Sequence, residues 1–258
     1  MQTHENGLFL DLSPRLRKYC RIMAMMFKAR SGPQRYFDGW ARAYDRDLAR
    51  YDYAVPQMVY DALKNRISGR LPLRLLDMGI GTGLSSSLFR AHFPDMHITG
   101  VDASQNMLDL CRGKGVADRL FCCDVRRDTL PPGPYQAIIA AGLMEFIEHP
   151  QDVLDHVIRH LAPGGYAALA FETPATAHLY GPRGFSGIIG RAPNALTVRR
   201  IHTRFPWPHI YSKYLHSTQY VVQLSEQAGM EVVEAIRFDA YRRGNGDVVT
   251  HDLLVVRK

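Results

Sequence analysis

Three carboxylates close three short strand-like runs: Asp77 after Leu75-Leu76, Asp102 after Gly100-Val101, and Asp124 after Cys122-Cys123. Between the first two, glycine recurs at alternate positions in Gly79-Ile80-Gly81-Thr82-Gly83. A carboxylate at a strand end can accept hydrogen bonds from both hydroxyls of a ribose, or from the exocyclic amine of an adenine. Asp102 is placed for the first task and Asp124 for the second, with Ser104 positioned to cap the helix that follows Asp102. Glycine lets a ligand press against the backbone where a Cβ would collide. The run is not a dinucleotide fingerprint, because G-x-G-x-x-G needs glycine at position 84, where Leu84 stands. No Lys-Ser/Thr pair follows it, so it is not a phosphate loop. Acid, glycine loop, acid and acid describe an adenosine pocket with no phosphate to hold.

These groups can act together only if the chain gathers them at one edge. Strand candidates Leu73–Asp77, His97–Asp102, Leu120–Cys123, Ala137–Ala141 and Tyr166–Phe171 alternate with helical stretches. Val153, Leu154, Val157, Ile158 and Leu161 form one clear helical face. This alternation predicts an α/β fold, a parallel sheet with helices on both faces, whose ligands sit beyond the carboxyl ends of the strands. A helix near Thr218–Ala228 follows, then two β-like stretches, Met230–Tyr241 and Val248–Val256, around the turn Gly244-Asn245-Gly246-Asp247. Upstream, residues 13–30 open on Ser13-Pro14 and read as a basic amphipathic helix, and residues 35–67 predict further helices. Residues 173–215 are too long for an ordinary connection and read as a lid or substrate-binding insertion. The expected division is 1–68 as N-terminal helical cap, 69–172 as core, 173–215 as insertion and 216–258 as the helix and hairpin that complete the core.

The motifs together resemble the class I S-adenosylmethionine (SAM)-dependent methyltransferases. The resemblance rests on Asp77-x-Gly79-x-Gly81-x-Gly83, Gly100-Val101-Asp102, Asp124-Val125 and Leu161-Ala162-Pro163-Gly164-Gly165, which span residues 72–172 in order. A narrower similarity is to the Williams–Beuren-region group of small methyltransferases. It is carried by Phe37-Asp38-x-Trp40-Ala41-x-x-Tyr44-Asp45, by Lys114-Gly115-Val116-x-Asp118-Arg119-Leu120, and by Ala240-Tyr241-Arg242 with Leu253–Lys258. The resemblance implies a Rossmann-like seven-stranded, mostly parallel sheet with a C-terminal antiparallel hairpin, N-terminal helices and a lid insertion. It implies SAM as cofactor and S-adenosylhomocysteine as product. The implied cofactor residues are Tyr44, Asp77, Gly79, Ile80, Gly81, Asp102, Ala103, Met107, Asp124, Val125 and Ala141. Among them Gly79–Gly81 approach the methionine moiety, Asp77 holds its ammonium group, and Tyr44 covers the cofactor.

Transfer from a sulfonium is an in-line displacement, and orientation can supply most of its acceleration. A hydroxyl or ammonium acceptor also needs a base, for which His149, Glu145, His178 and His216 are the candidates. Glu145-x-x-Glu148-His149 resembles the metal motif of ubiquinone-type O-methyltransferases. The register is wrong, however: Gln136 stands where that family opens its strand with Asp, and His149 falls too late. No metal is expected.

The bulk properties set outer limits. The chain has 258 residues, 46% of them apolar and 22% charged, enough for one large α/β domain with a real core. The apolar run Ala137–Met144 is far short of the roughly 20 residues that cross a membrane. Residues 1–12 carry Glu5 and Asp11 without a basic stretch, which predicts no secretory signal. Cys20, Cys111, Cys122 and Cys123 form no C-x-x-C pair, as expected of reduced cysteines in a cytoplasmic protein. Formal net charge is +7, with basic clusters at Arg15–Arg35 and at Arg191, Arg199, Arg200 and Arg204. Those clusters read as solvated surface, and no specific nucleic acid is expected. The partner expected is a small-molecule, biosynthetic acceptor methylated on O, N or S. Alternatives are an RNA or protein methyltransferase using the basic surface, and a SAM-binding cyclase or regulator that methylates nothing. The strand end Ala140-Ala141-Gly142-Leu143-Met144-Glu145 lacks the Asn/Asp-Pro-Pro-Tyr motif of nucleic-acid amine methylation. Helix 14–30, with Met23, Met25, Met26 and Phe27, and the insertion, with Tyr180, Phe185, Ile188, Ile189, Phe205 and Trp207, are expected to cover the transfer site. Glycines 181, 184, 187 and 190 would serve as hinges.

Overall fold

The computed structural model describes residues 30–69, 73–180, 187–202 and 209–258. The helix expected before residue 30 lies outside these residues, as do Phe185, Phe205, Trp207, Gly181 and Gly184. Two sheets are present among the described residues. The larger holds seven strands: β2 (Arg74–Met78), β3 (His97–Asp102), β4 (Arg119–Cys122), β5 (Tyr135–Ala141), β6 (Leu161–Glu172), β10 (Glu231–Arg242) and β11 (Val248–Arg257). Their spatial order is β10-β11-β6-β5-β2-β3-β4. β4, β3, β2, β5 and β6 run parallel, while β11 pairs antiparallel with both β6 and β10.

Alternation along the central strands explains the layering. In β6, Ala167, Leu169 and Phe171 face one core, whereas Ala168 and Ala170 face the other. Ile138 and Ala140 of β5 likewise oppose Ala137 and Ile139. Such strands are apolar on both faces because helices cover both. On one face lie α5 (Pro150–His160) with Val153, Leu154 and Val157, and α6 (Thr218–Gln227) with Val221. On the other lie α2 (Val55–Ile67) with Val59 and Leu63, and α3 (Leu84–His92) with Phe89. α4 (Gln105–Lys114) starts at Ser104, whose hydroxyl accepts the Met107 amide at 3.2 Å.

The insertion is itself a sheet. β7 (Gly187–Ala192), β8 (Ala195–His202) and β9 (His209–His216) form an antiparallel meander, and β1 (Arg30–Ser31) adds parallel to β9. Ile188, Leu196, Val198 and Leu215 pack with Tyr180 into a small separate core. This corrects two expectations. Ile188 packs inside the insertion and does not wall a ligand cavity. Gly187 and Gly190 lie within β7, paired to β8, where a ladder restrains them and no hinge forms. From β1 the chain passes straight into α1 (Pro33–Arg50), which crosses the carboxyl edge of the larger sheet. No helix among the described residues is long and apolar enough to cross a membrane.

Candidate functional site

Parallel strands bring their carboxyl ends to one edge, and the crossovers from β2 and from β5 leave in opposite directions there, opening a crevice. It holds an open cavity. Its walls include Gly79, Gly81, Asp102, Ala103, Met107, Asp124, Val125 and Ala141 from the sheet side, with Phe37 and Tyr44 from α1. Gly79 has φ +75, and a Cβ there would stand 3.1 Å from Leu143, so the turn itself requires glycine.

Asp102 is fixed by two amides: Gly81 N–H donates to Oδ2 and Ser104 N–H to Oδ1, each at 2.8 Å. Burial pushes its carboxyl up to about 6, with those two amides opposing and Asp38 adding to the rise. Two amides leave the carboxylate further lone pairs for a ligand. Asp124 is engaged differently. Burial opposes its ionisation, but Arg126, bonded at 2.8 and 2.6 Å, and Arg127, at 2.7 Å, hold it down at about 2. Asp77 stands beneath the loop and does not line the cavity; it accepts the Ser86 hydroxyl of α3 at 2.7 Å, and burial raises it to about 7. Ile80 points down as well, into a cluster with Leu108, Cys111 and Val116.

α1 roofs this cavity through polar ties. Ser104 donates to Asp38, Thr82 and Lys114 both donate to Asp45, and the Asn106 amide donates to the Asp38 carbonyl at 3.0 Å. Aromatic rings continue the roof. Phe37 meets Phe146 edge-on at 5.0 Å, Trp40 meets Tyr44 at 4.8 Å, and Tyr36 stacks on Tyr211 of β9 at 4.3 Å.

A second open cavity lies between α1 and the insertion sheet. Phe37, Tyr44, Gly142 and Phe146 line both cavities and form the partition between them. Gly142 has φ +75, and a Cβ there would stand 2.6 Å from the Tyr53 hydroxyl and 3.6 Å from Glu145 Oε1. Glu145 lines the second cavity, is buried, and its Oε2 has no hydrogen-bond partner among the described residues. Burial pushes its carboxyl up to about 7, the Lys213 ammonium opposing.

Deeper in the same wall, Glu172 closes β6. It accepts Lys213 Nζ, Tyr180 Oη and Thr176 Oγ1, each at 2.6 Å. Burial works against this carboxylate, but Lys213, His251 and the hydrogen bonds prevail and hold it at about 2. His251, which pairs with Glu172 across β6 and β11, is pushed down to about 4 by burial, and neither ring nitrogen has a hydrogen-bond partner among the described residues.

Of the four candidate bases, Glu145 is the one that lines either of these two cavities among the described residues. His149 and His178 are exposed. His216 is buried against the Ile147 carbonyl at 2.8 Å. Glu148 and His149 are exposed while Glu145 is buried, so the metal-like triplet is not brought together. No group of three His, Cys, Asp or Glu is placed to hold a metal ion among the described residues. Sequence reasoning passed over Tyr53, Glu172, Lys213, Arg200, Arg243 and His251. Glu172 carries the same strand-end signal as Asp77 and Asp102; the others come together only through the insertion sheet and the hairpin.

A methyltransferase-domain family model matches residues 44–235. The chain belongs to that family. Among methyltransferases, human methyltransferase-like protein 27 is 32% identical over 144 residues, covering 54% of this chain and 57% of its own. The malonyl-[acyl-carrier protein] O-methyltransferase of Bacillus cereus is 31% identical over 142 residues, covering 54% of this chain and 51% of its own. The chain thus spans about half the length of the curated relatives it matches. A SAM-dependent methyltransferase from Clostridium acetobutylicum superposes with a TM-score of 0.60 at 16% identity, covering 84% of this chain and 97% of that one. The 1,6-didemethyltoxoflavin-N1-methyltransferase of Burkholderia thailandensis, solved with its acceptor and S-adenosylhomocysteine, gives 0.59 at 16% identity, covering 93% and 89%. Together these show the class I methyltransferase fold, with the seven-stranded sheet and hairpin expected.

Proposed function

We propose that this chain is a SAM-dependent methyltransferase that methylates O, N or S of a small-molecule acceptor, with the cofactor in the first cavity and the acceptor in the second. One observation carries the reading: the two cavities share a partition, so two ligands can meet at one point while entering from separate sides. The first cavity fits SAM by its donor set. Asp102 has lone pairs left for both ribose hydroxyls, Met107, Val125 and Ile147 offer an apolar slot for the adenine, and the Gly79–Gly81 backbone is open to the amino-acid end. Asp124 reaches the adenine amine only by sharing a carboxylate with Arg126, and Asp77 acts through α3 and the loop. When bound, SAM supplies an electrophilic methyl group on a sulfonium.

The chain's own residues do the rest. Phe37, Tyr44 and Phe146 exclude water from the meeting point and orient the acceptor, which is where most of the acceleration arises. Glu145 takes the proton from a hydroxyl or ammonium acceptor at the Gly142 edge. In support, the malonyl-[acyl-carrier protein] and toxoflavin relatives act on small or carrier-bound acceptors.

Calorimetry tests the cofactor half. S-adenosylhomocysteine is expected to bind in the micromolar range, and Asp102→Asn to weaken it by about 1–3 kcal/mol, roughly 5- to 150-fold. An Asp102→Asn protein of unchanged affinity overturns the ribose assignment. No binding to the wild type overturns the cofactor itself.

A further inference from the structure

The walls of the second cavity carry two cations that have no counter-charge among the described residues. Arg200 of β8 and Arg243, just past β10, both lie over the ring of Tyr180, with guanidinium carbons 5.4 and 4.9 Å from its centre. Arg243 gives one N–H to the Leu179 carbonyl at 2.9 Å. Neither guanidinium has a carboxylate within ion-pair distance among the described residues. The nearby acids Glu172 and Asp47 are engaged with other groups. Glu172 faces Lys213, Asp47 accepts the Trp40 indole at 3.0 Å and Arg46 at 3.5 Å, and Glu145 stands at the partition.

Composition says the same of the whole insertion. Residues 173–216 contain six Lys and Arg and no Asp or Glu. Outside the described residues the chain has only two acids, Glu5 and Asp11. A stacked guanidinium keeps its planar fork of donors pointing outward, in the geometry that grips a carboxylate through two parallel hydrogen bonds. Aromatic side chains complete the chamber, with Tyr36, Trp40, Tyr53, Tyr211 and Tyr241 in its walls. Two buried groups of the same walls, Glu145 Oε2 and the ring of His251, also lack hydrogen-bond partners among the described residues.

We infer that the acceptor is a small planar acid, whose carboxylate is anchored by Arg200 and Arg243 while its nucleophilic atom lies at the Gly142–Glu145 partition. This rests on reading the second cavity as the acceptor chamber. Arg200 and Arg243 are then specificity-determining residues that hold the acceptor by the end that does not react.

The test compares two acids, para-hydroxybenzoate and para-coumarate, with their neutral carboxamides. Binding is measured by calorimetry, and by quenching of tryptophan fluorescence since Trp40 lines the chamber, with S-adenosylhomocysteine saturating. In the wild type the acids are expected to bind at least about tenfold tighter than the amides. The R200Q/R243Q double variant is expected to lose that preference while retaining S-adenosylhomocysteine, and R200K/R243K to keep only part of it. Amides that bind the wild type as tightly as acids overturn the inference. So does failure of both acids to bind below about 1 mM, or survival of the preference in R200Q/R243Q. The wild-type comparison stands even if a variant does not fold. Absence of S-adenosylhomocysteine binding to the wild type overturns the methyltransferase reading instead.

Discussion

Glu145 illustrates how position decides chemistry for a single residue. Burial raises its carboxyl to about 7 and Lys213 restrains the rise, so near neutrality it is balanced between its two states. A base acts only when ionised, and the transfer rate is expected to climb as pH rises through about 7 and then level off. Glu145→Gln should remove that limb and lower kcat by about 10²- to 10⁴-fold, with S-adenosylhomocysteine affinity little changed. A pH–rate profile of the variant that keeps its rising limb assigns the base to another group. At this scale the sequence was informative wherever a residue type met a strand end. Asp102 stands out because a carboxylate after Gly100-Val101 has few purely structural uses there. Asp124 looked equivalent, yet Arg126 and Arg127 fold back onto it, a side-chain choice that spacing does not reveal. Asp77 likewise turned inward to Ser86.

Among elements, β9 shows why the insertion was read as irregular. Tyr211, Lys213 and Leu215 all point inward and are buried, so the alternation of a strand is present, but its middle position is a lysine. A hydropathy pattern breaks at Lys213, and only the neighbouring strand end, Glu172, makes it tolerable there. The pair is therefore a folding constraint as well as part of the chamber wall. Lys213→Met leaves Glu172 buried without its ammonium partner, with an expected cost of about 3–5 kcal/mol in chemical denaturation. Adding Glu172→Gln should recover most of it, and a double variant as unstable as the single refutes the pairing argument. The pH sign follows from a depressed carboxyl. Glu172 sits at about 2 in the fold against ~4.3 for an unfolded glutamate. Its contribution is thus complete above about pH 4.3 and is lost as pH falls towards 2, so the melting temperature of the wild type should fall more steeply over that window than that of Glu172→Gln. At the turn after β5, Gly142→Ala places a side chain in the left-handed region and against Tyr53, at about 1–3 kcal/mol. That variant should lose methyl transfer out of proportion to cofactor binding, since its new methyl stands in the partition.

For the molecule as a whole, α1 is the member that ties the parts together. Its polar side, through Asp38 and Asp45, binds the cofactor loop and α4, while Tyr36 stacks on the insertion at Tyr211. The α/β core was legible from end to end, because buried parallel strands and their crossovers leave a strong apolar rhythm. The joining of core and insertion was not, since β1 is only two residues long and its partner β9 lies far along the chain. Long-range pairing of short polar strands has no local signature. Tying both cavities to one helix predicts that S-adenosylhomocysteine slows amide hydrogen exchange in residues 33–50 and also in β9. Protection confined to the cofactor loop would show that α1 does not carry the effect.

The partition of Phe37, Tyr44, Gly142 and Phe146 has a kinetic consequence. With the cofactor on one side and the acceptor on the other, as proposed, four shared residues couple the two affinities, and thermodynamic linkage requires the influence to be mutual. Whatever factor the spent cofactor adds to acceptor affinity, the acceptor adds to the spent cofactor. Where that factor exceeds one, an acceptor that arrives before S-adenosylhomocysteine has left holds it more tightly, and a dead-end ternary complex is expected to slow turnover at high acceptor concentration.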